Sequence, residues 1–162
     1  MTSTTLASTP ARSTANAAYA TSVQTGTAYA VPVARAFFAL IFVMAGFNHA
    51  LQPGPLIPLA AQEGVPLASV AVPFAGLLAL AGGLSVLLGF KARLGAWLLV
   101  LFLVPVTLAM HKFWAATDPM MGQIHQAMFM KNLALLGGAL LLAHFGAGPF
   151  SLDARADPRA AR

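Results

Sequence analysis

Long uninterrupted apolar runs, separated by short polar breaks, dominate the chain from Val33 onward. The first run covers 33–51 and stops at the turn Gln52-Pro53-Gly54-Pro55. The second covers 67–90 and the third 94–110, while the fourth starts somewhere after Asp118 and fills 124–145. Each is close to the roughly 20 residues that a helix needs to cross about 30 Å of hydrocarbon. A segment in lipid has to satisfy its own backbone polar groups, so these runs predict helices. They are continuous and do not alternate, which excludes a transmembrane barrel. The expected fold is an all-α, integral membrane four-helix bundle.

The breaks refine the picture. Lys91 and Arg93 leave only a short loop between the second and third runs, so those two form an antiparallel hairpin. Pro73 and Pro105 fall inside apolar runs, where each removes an amide donor and predicts a kink; Pro73 also suits the first turn of a shorter helix. Asp118-Pro119 reads as an N-cap followed by proline at the first helical position. Ala75, Ala79 and Gly83, and then Ala134 and Gly138, recur every four residues. Small residues at that spacing let helix backbones approach closely within a bundle, and equally serve a homo-oligomer interface. Residues 1–32 are rich in Ser, Thr and Ala without an apolar face and read as a disordered cytoplasmic tail. No cleavable secretory signal is evident there. The expected organisation is that tail, a four-span domain over 33–153, and a basic cytoplasmic tail over 154–162.

Composition agrees. Of 162 residues, 59% are hydrophobic and only 8% charged, and the mean hydropathy is +0.78. A water-soluble domain carries about 25% charged residues, so lipid is the expected solvent for the exterior. The net charge of +5 is spread along the chain without an aromatic-flanked basic run, which argues against nucleic acid. There is no cysteine, so disulfides, thiolate metal sites and thiol redox chemistry are excluded.

Basic residues set the orientation. Arg12, Arg35, Lys91, Arg93, Arg155, Arg159 and Arg162 fall on one side of four crossings, while Lys112 and, near a membrane entrance, Lys131 fall on the other with the acids Glu63 and Asp118. The expectation is an inner (plasma) membrane protein with both termini inside (N-in/C-in) and with loops 52–66 and 111–123 in the periplasm.

The outer ends of the spans collect the candidate chemistry. His49 closes the first helix, His111 the third, and His125 lies near the start of the fourth, with Lys131 and Asn132 beyond it. His125, Phe129 and Asn132 share one helical face, as do Val104, Leu108 and His111. An ionisable residue such as Lys131 at membrane depth is a functional candidate, although a long stem also lets lysine snorkel. Trp114 suits the interface, its ring buried and its N–H wet. His49, His111, Trp114, His125, Lys131 and Asn132 are therefore the candidate rim: apolar walls with hydrogen-bonding imidazoles suit a quinone headgroup or a partner protein. His144 lies at the opposite end and reads as interfacial. Met44, Met110, Met120, Met121, Met128 and Met130 share the outer half, and thioether beside imidazole is a Cu(I) ligand set. No tight ligand motif accompanies them, methionine equally fills irregular cores, and no histidine pair is marked out for haem. No metal site is assigned.

Ala45-Gly46-Phe47-Asn48-His49, Gly82-Gly83 with Gly89, Lys91-Ala92-Arg93, His111-Lys112-Phe113-Trp114, Lys131 to Gly138 and Gly148 to Asp153 together carry a resemblance. Over about 33–153 the chain resembles the DoxX family of small four-helix bacterial membrane proteins. The resemblance implies a membrane subunit linked to thiosulfate:quinone oxidoreductase or to sulfur and redox stress. Members often carry a glutamate where this chain has Ala79.

The leading functional expectation is thus a redox-associated membrane subunit engaging quinone, or a membrane or periplasmic oxidoreductase partner, at the outer rim. The alternatives are a non-enzymatic scaffold recruiting a soluble partner and, less favoured, a small-solute transporter or a copper or haem site. A transport path needs polar groups through the whole thickness, which the apolar spans do not offer.

Overall fold

A computed structural model describes the backbone of residues 10–156 and the side chains of residues 29–156. The order is α1 (Pro10–Leu51), α2 (Leu56–Gln62), α3 (Ala68–Leu88), α4 (Ala92–Met110), a 3-10 turn (Phe113–Ala115), α5 (Pro119–Phe145) and α6 (Leu152–Ala156). Strands are absent among the described residues, and four helices are long and apolar enough to span a membrane, as the hydropathy pattern requires. The apolar part of α1 is Tyr29–Leu51.

The structure departs from the predicted boundaries in three places. The helix preceding the first span reaches back to Pro10, through residues that the sequence reading assigns to a disordered tail. That stretch is rich in alanine, the strongest helix former, and begins on a proline, which a first turn accepts; residues 1–9 lie outside the described ones. Between the first two spans, expected as loop, Leu56–Gln62 forms α2, folded back so that Ala60 packs with Ala68 and Val72. Beyond the last span α6 takes in part of the expected C-terminal tail, whose residues 157–162 lie outside the described ones.

Helices α1, α3, α4 and α5 pack in that sequence, each chiefly against the next. Glycines permit the approach. A methyl group on Gly76 would come within 2.5 Å of the Ala50 backbone nitrogen, and one on Gly46 would strike the Leu80 backbone. Gly83 faces Val43 in the same α1–α3 seam, and Gly82 lies against Gly95 and Leu99 of α4. The α3 stripe is therefore Gly76, Ala79 and Gly83, one position away from the Ala75 start that a strict four-residue spacing predicts. Gly138 on α5 receives the Phe38 ring from α1, whereas Ala134 is exposed. The core contains Ala39, Phe42, Ala79, Val86, Ala96, Leu99, Phe102, Leu103 and Ala139. Outward faces are apolar as well: Phe37 is 74% exposed and Leu141 60%. Contiguous apolar exteriors of this kind are stable only against lipid.

One end of the bundle is tied by polar contacts. Helix α3 stops at Gly89 (φ 64°), where the Phe90 amide donates to the Ser85 carbonyl at 3.0 Å. A left-handed residue after the last turn favours glycine because it has no Cβ. Asp153 then accepts from the amides of Lys91 (2.7 Å) and Ala92 (2.9 Å), capping α4 from the far end of the chain. Arg35, 5% exposed, donates to the carbonyls of Ala147 (2.6 Å) and Phe150 (2.9 Å). The segment after α5 is thereby fastened to α1 and to the α3–α4 turn.

Candidate functional site

The other end carries the three histidines, and the structure divides the predicted rim into three neighbourhoods. His49, in the last turn of α1, has its Nδ1 2.6 Å from the Ala45 carbonyl. A carbonyl oxygen only accepts, so Nδ1 carries the hydrogen, and a neutral ring presents Nε2 as an acceptor. The ring stands edge-on to Phe102, with centroids 6.2 Å apart. His49 lines a cavity of about 290 Å³ between α1, α2, α3 and α4. The remaining walls are apolar, among them Leu56, Val72, Phe74, Phe102 and Pro105, and His49 is the single polar side chain in the lining. Phe74 and Leu101, part of these walls, are also exposed on the lipid-facing exterior.

Proline shapes this cavity. Pro105 in α4 lines it directly, while Pro73 sits inside α3 between the lining residues Val72 and Phe74. A proline within a helix leaves the carbonyl four residues earlier without its amide partner and bends the ladder away. Helix α2 covers the space from outside the bundle with Leu56 and Ala60. It is held over the bundle by Lys112, which pairs with the Glu63 carboxylate at 3.1 Å and donates to the Glu63 carbonyl at 2.8 Å.

His111 and His125 form the second neighbourhood, between α4 and α5, with ring centroids 6.0 Å apart. The third is aromatic: Phe129 on α5 meets Phe113 at 5.5 Å and Trp114 at 5.9 Å, both from the 3-10 turn. Asp118 caps α5 by accepting from the Met121 amide at 2.8 Å, with Pro119 next, as the sequence indicates. That start fixes the phase of α5, so His125 turns toward His111 at the end of α4 and Phe129 toward the 3-10 turn, while Lys131 is exposed and Asn132 buried. His144 is exposed at the tied end, against Phe145. Sequence reasoning thus puts His49, His111 and His125 at one end of the bundle, where the structure has them, but treats them as one pocket. It misses the α2 lid and the role of Arg35, whose single signal was an arginine inside an apolar run.

Comparison with known proteins corrects the family resemblance. The pattern that matches is that of the SURF4 family, over residues 68–157; the DoxX assignment is therefore not upheld. The chain is 32% identical to the inner membrane protein YqjF of Escherichia coli over 76% of this chain and 88% of that one. It is 29% identical to the inner membrane protein YphA of the same organism over 76% of this chain and 87% of that one. An uncharacterized Caenorhabditis elegans protein, T02E1.7, is 35% identical over 41% of this chain and 24% of that one. No solved structure matches.

Proposed function

The chain belongs to the SURF4 family and is a multi-pass inner-membrane protein; from its cavity we propose that it is a redox-associated membrane subunit holding a quinol ring beside His49. The observation that carries this reading is the cavity: apolar walls reached from the lipid face, with one imidazole whose remaining nitrogen is an acceptor. Its volume of about 290 Å³ lies at the small end of ligand pockets, which run from roughly 300 Å³ upward, and suits one ring rather than an entire isoprenoid. The tail would lie in the bilayer past Phe74 and Leu101.

The direction of the hydrogen bond selects the redox form. A quinol hydroxyl donates to Nε2, whereas a quinone has only acceptors and leaves Nε2 unmatched. The Ala45 carbonyl holds the tautomer, so the ring need not reorganise to receive a proton. When a quinol loses two electrons it releases two protons, and Nε2 takes the first. This chain has no cysteine, and the electron acceptor is assigned to a partner oxidoreductase. With the basic residues inside, the cavity opens in the outer leaflet, so the proton leaves toward the periplasm.

Equilibrium binding in nanodiscs tests this with a short-chain ubiquinol and the matching ubiquinone. The quinol is expected to bind about tenfold more tightly, a difference of one hydrogen bond at roughly 1.4 kcal/mol. His49→Phe is expected to abolish the preference while the protein stays folded. Equal affinity for the two forms, or an unchanged preference in His49→Phe, refutes the reading.

A further inference from the structure

The second histidine neighbourhood shares no residue with the lining of the cavity and has a different chemical character. The Nδ1 atoms of His111 and His125 are both buried and lack a hydrogen-bond partner. A buried imidazole nitrogen without a protein partner gives up its hydration for little in return, since the Met110 backbone beside His111 offers only an interaction outside hydrogen-bond geometry, and the pair is therefore open to a ligand. Lys131 adds a positive charge. It sits 12 residues into α5, about 18 Å along the axis at the usual helical rise, and its ammonium contacts the Met128 sulfur at 3.5 Å. A thioether is a weak acceptor and leaves that charge unneutralised. Lys131 and His125 both lie within electrostatic reach of His111.

The acids nearby do not supply the counter-charge. Glu63 also acts on His111, but its carboxylate is paired with Lys112 at 3.1 Å. Asp118 is committed to the cap of α5. The two imidazoles lie side by side, Lys131 is within electrostatic reach of His111, and no acid among the described residues forms an ion pair with any of the three. A metal ion fits poorly: among the described residues no third histidine, carboxylate or cysteine joins the two imidazoles.

We propose that His111, His125 and Lys131 form a binding site for a phosphate-class oxyanion, supplied by the headgroup of an anionic membrane lipid. With a hydrogen on each Nδ1, the tautomer this assignment requires, the two imidazoles and the ammonium match a phosphodiester, whose oxygens only accept. The adjacent Phe113, Trp114 and Phe129 rings, 5.1 to 5.9 Å apart, form an apolar wall at the depth where headgroup gives way to acyl chain. A lipid lying in this seam would wedge α4 against α5 and complete a contact that the protein leaves polar and unmatched. The assignment does not depend on the quinol reading.

The test uses the full chain in nanodiscs of phosphatidylcholine with or without phosphatidylglycerol, and native mass spectrometry to count retained lipid. Wild type is expected to retain phosphatidylglycerol at least tenfold over Lys131→Met, with Lys131→Arg close to wild type and His125→Phe reduced. Inorganic phosphate is titrated separately into phosphatidylcholine nanodiscs. Phosphate binding that depends on the same three residues, without selective lipid retention, supports the oxyanion site with a free anion as its source. If neither probe distinguishes wild type from Lys131→Met, both having equal melting temperatures, the site is overturned.

Discussion

Replacing Asp153 by alanine measures how firmly the end of the chain ties the bundle. The carboxylate accepts two amide hydrogen bonds, at 2.7 Å from Lys91 and 2.9 Å from Ala92. Bonds to a charged group contribute about 1.5–3 kcal/mol each when shielded. The Lys91 amide is on the exposed side, where water replaces the lost acceptor, whereas the Ala92 bond is partly buried. The expected loss is therefore about 2 kcal/mol, near the upper end of helix-cap values. For a protein of this size each kcal/mol moves the midpoint by roughly 2–4 °C, so the melt should fall by about 4–8 °C. Asp153→Asn keeps one accepting oxygen and should lose about half as much. Arg35→Met breaks the other fastening of the same segment, so the double variant Arg35→Met/Asp153→Ala should lose less than the sum of the two singles. Thermal unfolding in one detergent reads all four proteins, with exposed Arg155→Ala as the control. If Asp153→Ala melts with wild type, or the two losses add fully, the account of this end as one coupled fastening is wrong.

Four further outcomes follow from the same geometry. Gly76→Leu should force α1 from α3 and leave little folded protein by size-exclusion chromatography, while Ala81→Leu, on an exposed position, should behave as wild type. Asp118→Ala removes the cap of α5 and should cost about 1 kcal/mol in the same melt. Glu63→Gln weakens a partly exposed ion pair and should change stability by less than about 1 kcal/mol, yet it should speed hydrogen exchange in α2, whose lid it releases. Because the chain has no cysteine, single cysteines at exposed Gln52 and Arg155 report orientation cleanly; an impermeant maleimide applied to intact cells should label the first and spare the second.

The spans were legible because lipid imposes a length and an apolar composition that composition alone reveals. The Asp118-Pro119 start of α5 was equally plain, since a cap is local chemistry. The α3 seam was not: apart from Ser69 and Ser85 near its ends that helix is apolar, which leaves the phase between Ala75 and Gly76 open. Helix α2 escaped notice because seven residues carry too little periodicity, and what holds it is nonlocal: apolar packing on Ala68 and Val72 and the pairing of Lys112 with Glu63. The histidines were placed at the correct end, but a helical face does not say which neighbour it meets. Only the order of packing separates His49, beside α3, from His111, beside α5. Arg35 was read as a marker of orientation, whereas its guanidinium lies buried under a segment that the sequence presents as the glycine-rich run into a tail.

That buried guanidinium joins a helix made early to a segment made 112 residues later. Spans emerge from the ribosome in order, the first well before the last, but the carbonyl that receives Arg35 belongs to Ala147, 112 residues downstream. Until residues 147–150 have been made, the helix carries a cation whose carbonyl partners do not yet exist. A stop codon or an insertion that displaces residues 147–150 is therefore felt at Arg35, on a helix completed long before.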